Sequence, residues 1–131
     1  MQISGRFEVS LNPQEPYALS QDGINLGRMA LDKTYFGELQ ATSRGEMLSA
    51  MTSQKGSAGY VAIELVSGTL MGKQGSFVLQ HFGVMNRGAE RLILEVLADS
   101  GTGELVGLSG SMTIQRQQGQ HQYTFEFHLS G

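Results

Sequence analysis

The sequence predicts an all-β fold, closed into an eight-stranded antiparallel up-and-down (meander) barrel. Three observations predict it. No window places apolar residues at i, i+3, i+4 and i+7, the mark of an amphipathic helix. Apolar and polar residues alternate at period two in segment after segment, as half-buried strands require. Eighteen of the 131 residues are Gly and two are Pro. Many of those glycines sit between the alternating segments, where tight turns and bulges need them. Closure is expected because a long antiparallel meander otherwise leaves two unpaired edges.

The elements follow in order. Ile3, Gly5, Phe7, Val9 and Leu11 alternate with polar residues and predict the first strand. Residues Asn12 to Asn25 hold both prolines, Pro13 and Pro16, and the turn pair Asp22-Gly23, so they read as the one long loop. Further strands are expected at Met29–Phe36, Leu39–Met51 (bent at Gly45), Tyr60–Ser67, Ser76–Met85, Arg91–Ala98 and Ser111–Arg116. The last, Gln122–Leu129, sets Tyr123, Phe125, Phe127 and Leu129 on one face and Thr124, Glu126 and His128 on the other. Gly68 to Phe77 and Gly103 to Met112 both read G-x-L-x-G-x-x-G-S-apolar, with a looser copy from Gly37. Either a true repeat or the shared needs of strand ends accounts for that likeness.

Length fits one domain, residues 1–131. The chain has no Cys, which excludes disulfides, thiolate metal centres and a thiol nucleophile. Its net charge is −3, and the nine basic residues run from Arg6 to Arg116 without clustering. Nucleic-acid binding is therefore not expected. No apolar run approaches the ~18 residues of a membrane helix. The first residues show no basic stretch ahead of an apolar one, so a bacterial-type cytoplasmic protein is expected.

The segment Gly101-Thr102-Gly103-Glu104-Leu105-Val106-Gly107-Leu108-Ser109-Gly110 resembles the G-T-G-x-[FL]-x-G-x-x-G stretch of allene oxide cyclases and dirigent proteins. More of the chain resembles an uncharacterised bacterial family, a domain of unknown function near the allene oxide cyclase-like barrels. The matching residues are Phe36 to Leu39, Gly45 to Leu48, Tyr60 to Glu64, Ser67 to Leu70 and Gly75 to His81, with the Gly-Thr-Gly segment. This resemblance implies an eight-stranded barrel and no established activity. The cyclases' active-site pattern has no match here.

Candidate chemistry comes from ionisable residues inside strands. A tight turn at Gly72-Lys73 sets Glu64 opposite His81, and a shift of two keeps both on one face. If Ala50 faces Tyr60, Glu46 also faces Glu64. The expected result is a Glu46–Glu64–His81 row across three strands, which suits general acid–base catalysis, a buried structural network or plain exposure. Tyr60, Phe77, Tyr123 and Phe125 are the candidate ligand-contacting residues, because an eight-stranded barrel either fills itself or holds one small ligand. Tyr17 and Tyr35 join Tyr60 as candidate mouth hydroxyls. No metal site is expected, since His81, His121 and His128 lack ligand spacing, and no cofactor is implied. Ser111 has no nucleophile-elbow context, and the Gly101–Gly110 segment lacks the ending of a phosphate loop.

The expected function is binding of a small apolar molecule in the lumen. The alternative is a lyase, isomerase or cyclase acting on an apolar substrate through Glu46 or Glu64 with His81. A third reading is a structural module. Both strand faces are largely apolar, so a homo-oligomer, dimer or trimer, is expected through the outer one.

Overall fold

The computed structural model describes residues 1–130. Eight strands follow one another: β1 (Gln2–Gln14), β2 (Asn25–Phe36), β3 (Leu39–Met51), β4 (Ala58–Leu70), β5 (Lys73–Asn86), β6 (Ala89–Val96), β7 (Leu108–Gln117) and β8 (Gln120–Leu129). Each pairs antiparallel with the next, and β8 pairs with β1 to close the barrel. Among the described residues the only helical turn is a 3₁₀ turn at Gly103–Leu105.

Most strands run longer than the alternation suggested, whereas β3 keeps the expected bounds and β6 keeps its expected length, beginning two residues earlier. β1 continues through Pro13, which lies opposite Met29, so the expected Asn12–Asn25 loop shrinks to residues 15–24. β4 and β5 meet at a two-residue turn, Met71-Gly72, both left-handed (φ 49° and 81°). That turn matches the strands' right-handed twist. The two G-x-L-x-G-x-x-G-S segments differ in structure. The first is this hairpin, and the second is the 3₁₀ turn leading into β7. Their first glycines both have positive φ but differ widely, 157° at Gly68 and 59° at Gly103. The likeness belongs to strand ends.

Inward-pointing residues define two ends of the lumen. At the closed end Tyr35, Leu39, Leu70, Phe77, Leu105, Tyr123 and Phe125 are fully buried. Phe77 and Phe125 stack with ring centres 6.0 Å apart. The Tyr123 hydroxyl donates to the Phe36 carbonyl at 2.9 Å. The Gly101–Gly110 segment plugs this end: Leu105 enters the core, and Thr102 and Glu104 bind the backbone of Ser76 and Gln74. The plug sits so close that a Cβ on Gly75 would lie 2.1 Å from the Thr102 carbonyl oxygen.

The outer wall is two-sided. Around β7, β8 and β1 it carries exposed Ser4, Glu8, Thr113, Gln115 and Glu126. Around β4, β5 and β6 it carries exposed Val61, Ile63, Leu65, Phe82, Ile93 and Leu97. Both faces of β4 and β5 read as apolar in the sequence, and the inner one carries Ala62, Glu64, Val66, Phe77, Leu79 and His81.

Candidate functional site

Glu64 sits inside the barrel with no solvent exposure. Four donors converge on its carboxylate. Ser43 on β3 reaches Oε1 at 2.8 Å and the Tyr35 hydroxyl on β2 reaches it at 2.5 Å. Lys33 Nζ on β2 reaches Oε2 at 2.9 Å and His81 Nε2 on β5 at 2.5 Å. All five residues are buried. The four donors occupy the four lone-pair sites that a carboxylate offers. Burial pushes the Glu64 carboxyl up, but the His81 hydrogen bond, the Lys33 charge and the Tyr35 hydroxyl outweigh it and hold the group at about 2. Burial, then the Glu64 charge, pushes the Tyr35 hydroxyl well above the usual phenol range. Glu64 is thus a carboxylate with no spare acceptor, and it serves as an anchor rather than a base.

Its anchoring orients His81. With Nε2 facing Glu64, Nδ1 faces the Tyr60 hydroxyl at 3.3 Å. Tyr60 lies above Gly83, where a Cβ would come within 2.2 Å of its ring. Gly83 therefore gives the tyrosine its seat. The chain Glu64–His81–Tyr60 runs from the centre of the barrel to the mouth at the β3–β6 end. There Tyr60 borders a pocket of about 380 Å³, lined on its inner side by Met47, Ser49, Met51, Met85 and Leu92. Burial and the Glu64 charge raise the Tyr60 hydroxyl, so it keeps its proton. A larger hollow of about 820 Å³ lies outside the closed end, bordered by Met1, Met71, Lys73, Glu104, Val106 and His128. None of the residues buried around Glu64 lines it.

The expected residues therefore part company. Glu64 and His81 meet, although the register differs by two: Glu64 lies opposite Leu79, and His81 opposite Ala62. An even shift preserves the face. Glu46 does not join them. β3 and β4 pair with Ala50 opposite Gly59, one residue from the expected register, so Gly45 faces Glu64 and Glu46 faces Ile63 on the outer wall. Glu46 there binds Arg28 at 3.0 Å and is mostly exposed. The Arg28 hydrogen bond and charge lower its carboxyl. Tyr60 lies at the mouth. Phe77, Tyr123 and Phe125 lie in the packed closed end, and Tyr35 is buried against Glu64 instead of standing at the mouth. Tyr17 is fully exposed on the β1–β2 loop.

Lys33 and Ser43 were missed. Their signal was present: Leu31, Lys33 and Tyr35 share one phase of an alternating strand, so Lys33 occupies an inward position. Among the described residues no group of three His, Cys, Asp or Glu is placed to hold a metal ion. No helix there is long and apolar enough to cross a membrane.

Residues 3–127 match DUF3224, a family of proteins of unknown function, and the chain belongs to it. A crystal structure of a DUF3224 protein of unknown function from Shewanella oneidensis MR-1 is 60% identical. It superposes with a TM-score of 0.97, over 100% of this chain and 98% of that one. No curated protein matches the chain.

Proposed function

We propose that this DUF3224 protein binds a small, largely apolar molecule in the β3–β6 mouth, with the Tyr60 hydroxyl as its polar contact. One observation carries the reading. An open pocket of about 380 Å³, lined mainly by Met and small residues, is bordered by the outermost group of a buried hydrogen-bonded chain. Its size lies within the roughly 300–1,000 Å³ of small-molecule sites, which pair apolar linings with a few fixed polar groups. Methionine side chains adapt their shape to a ligand. The ligand reaches the mouth alone, because the rest of the lumen is filled with side chains. The likeness to allene oxide cyclases supplies no residues to this reading.

The probe for the test is 2-naphthol, a compact apolar molecule with one hydroxyl, titrated calorimetrically. Saturable binding is expected in the native chain. Ala58→Trp, which fills the mouth, is expected to weaken it at least tenfold. Val106→Gln, beside the hollow at the closed end, is expected to leave it unchanged. Binding that survives Ala58→Trp contradicts the site.

The order Glu64–His81–Tyr60 favours a second reading, acid–base catalysis on the bound molecule. Glu64 accepts from His81 Nε2 and fixes the ring, and His81 Nδ1 can exchange a proton through Tyr60. The Tyr60 oxygen takes the α-hydrogen from carbon as its own proton passes to His81 Nδ1, leaving an enolate and an imidazolium paired with Glu64, and the return transfer delivers a solvent-exchanged proton to carbon. Glu46 takes no part in this reading. It is tested by exchange of the α-hydrogens of 2-indanone in D₂O. Acceleration that Tyr60→Phe abolishes supports it, and exchange no faster than in imidazole buffer sinks it.

A further inference from the structure

One row of the outer wall is apolar across four neighbouring strands. Leu48 lies opposite Val61, Val61 opposite Phe82, and Phe82 opposite Ile93. All four side chains are about half exposed, from 43% to 53%. Ile63, Leu65 and Leu97 extend the patch along the strands. Seven apolar side chains left half exposed expose on the order of 600 Å², close to the roughly 800 Å² per partner of a standard interface once a polar rim is added. Single exposed hydrophobics need no explanation, but a contiguous patch of this size does.

We propose that two copies of the chain pack face to face through β4, β5 and β6, about a two-fold axis that follows the row at Phe82 and Ile93. The charges on β6 identify the partner as a second copy. Arg91 and Glu95 lie two residues either side of Ile93, on the same outer face, both exposed. Neither has an ion-pair partner among the described residues, whereas Arg28, Asp32, Arg44 and Glu46 on the neighbouring wall are already paired. An axis crossing the strands at Ile93 reverses their direction. It sets Phe82 and Ile93 each against its own copy, and the Arg91 of each chain over the Glu95 of the other. Such a self-complementary surface is what an isologous dimer requires. The polar wall of β7, β8 and β1 offers no comparable surface.

The proposal is independent of the ligand reading and is tested by light scattering. At about 50 µM, above the micromolar limit of affinities that interfaces of this size span, the native chain is expected at twice its 14.2 kDa mass. Arg91→Glu alone and Glu95→Arg alone each juxtapose two like-charge pairs across the axis, and each is expected to weaken the dimer at least tenfold. The double variant, Arg91→Glu with Glu95→Arg, restores the pairs and is expected to restore the dimer. Both positions are exposed, so circular dichroism is expected to stay native throughout. A native chain that is monomeric or trimeric overturns the proposal. So does a dimer that ignores both single reversals, or one that the double variant fails to restore.

Discussion

At the closed end of the barrel Tyr35, Phe77, Tyr123 and Phe125 fill the lumen, each at 1% exposure or less. At the open mouth β3, β4 and β5 turn Ser49, Ala58 and Gly83 inward, leaving the pocket beside Tyr60. Both ends obey one alternation, inward and outward, with no break in pattern. Side-chain volume separates them, because aromatic residues bury roughly 150–250 Å² each and small ones leave room. The Glu64 cluster lies between the two. A barrel can thus hold a core and a pocket in one lumen, with a buried carboxylate as the floor of the second.

The sharpest way to break this comparison is to remove that floor. Glu64→Gln leaves the Lys33 ammonium buried without its counter-charge, a loss expected to cost about 3–5 kcal/mol. Urea unfolding at neutral pH measures it, and a loss below about 1 kcal/mol would mean the cluster is not the partition described. Next come the two ends themselves. Phe125→Ala is expected to cost about 3–5 kcal/mol at the closed end, whereas Met85→Ala at the mouth is expected to cost under about 1 kcal/mol, because its site is already open. Equal costs would erase the distinction.

Acid gives a smaller and more selective effect. The folded Glu64 carboxyl titrates at about 2 against an ordinary value of 4.5. Its stabilisation is therefore complete above the ordinary value and is lost as pH falls from there towards 2. The loss is roughly 3 kcal/mol. The Glu64→Gln variant is expected to lack this portion of the acid dependence. Tyr60→Phe is the mildest change. One partly buried hydrogen bond is worth about 1 kcal/mol, so stability is expected to hold while 2-naphthol affinity falls severalfold. A large stability loss would place Tyr60 with the core and not with the mouth.

Much of this was legible in the sequence. Alternation and glycine placement specify the barrel and its strand order, and strand parity puts Glu64 with His81 even though the turn falls one residue earlier than expected. Parity survives even shifts and fails on odd ones. The six residues between β3 and β4 set the odd case, and Glu46 went to the outer wall with Arg28. Packing was less legible than pairing. Phe125 and Tyr60 both point inward, and alternation does not say that one end is plugged. The plug comes from the Gly-Thr-Gly segment, whose fit against Gly75 depends on contacts across the chain. The inward phase of Lys33 was legible in its strand, but its partner was not, since only the fold brings β2 and β3 around Glu64.

Six of the seven methionines report on both ends at once. Met47, Met51 and Met85 line the mouth, Met112 is buried in the core, and Met1 and Met71 border the hollow at the closed end. Carbon-13 methyl spectra of methionine-labelled protein, recorded during a 2-naphthol titration, therefore locate the ligand directly. The account predicts saturable shifts at Met47, Met51 and Met85, with Met1, Met71 and Met112 unmoved. Shifts confined to Met1 and Met71, or no saturable shift at the mouth, would contradict it.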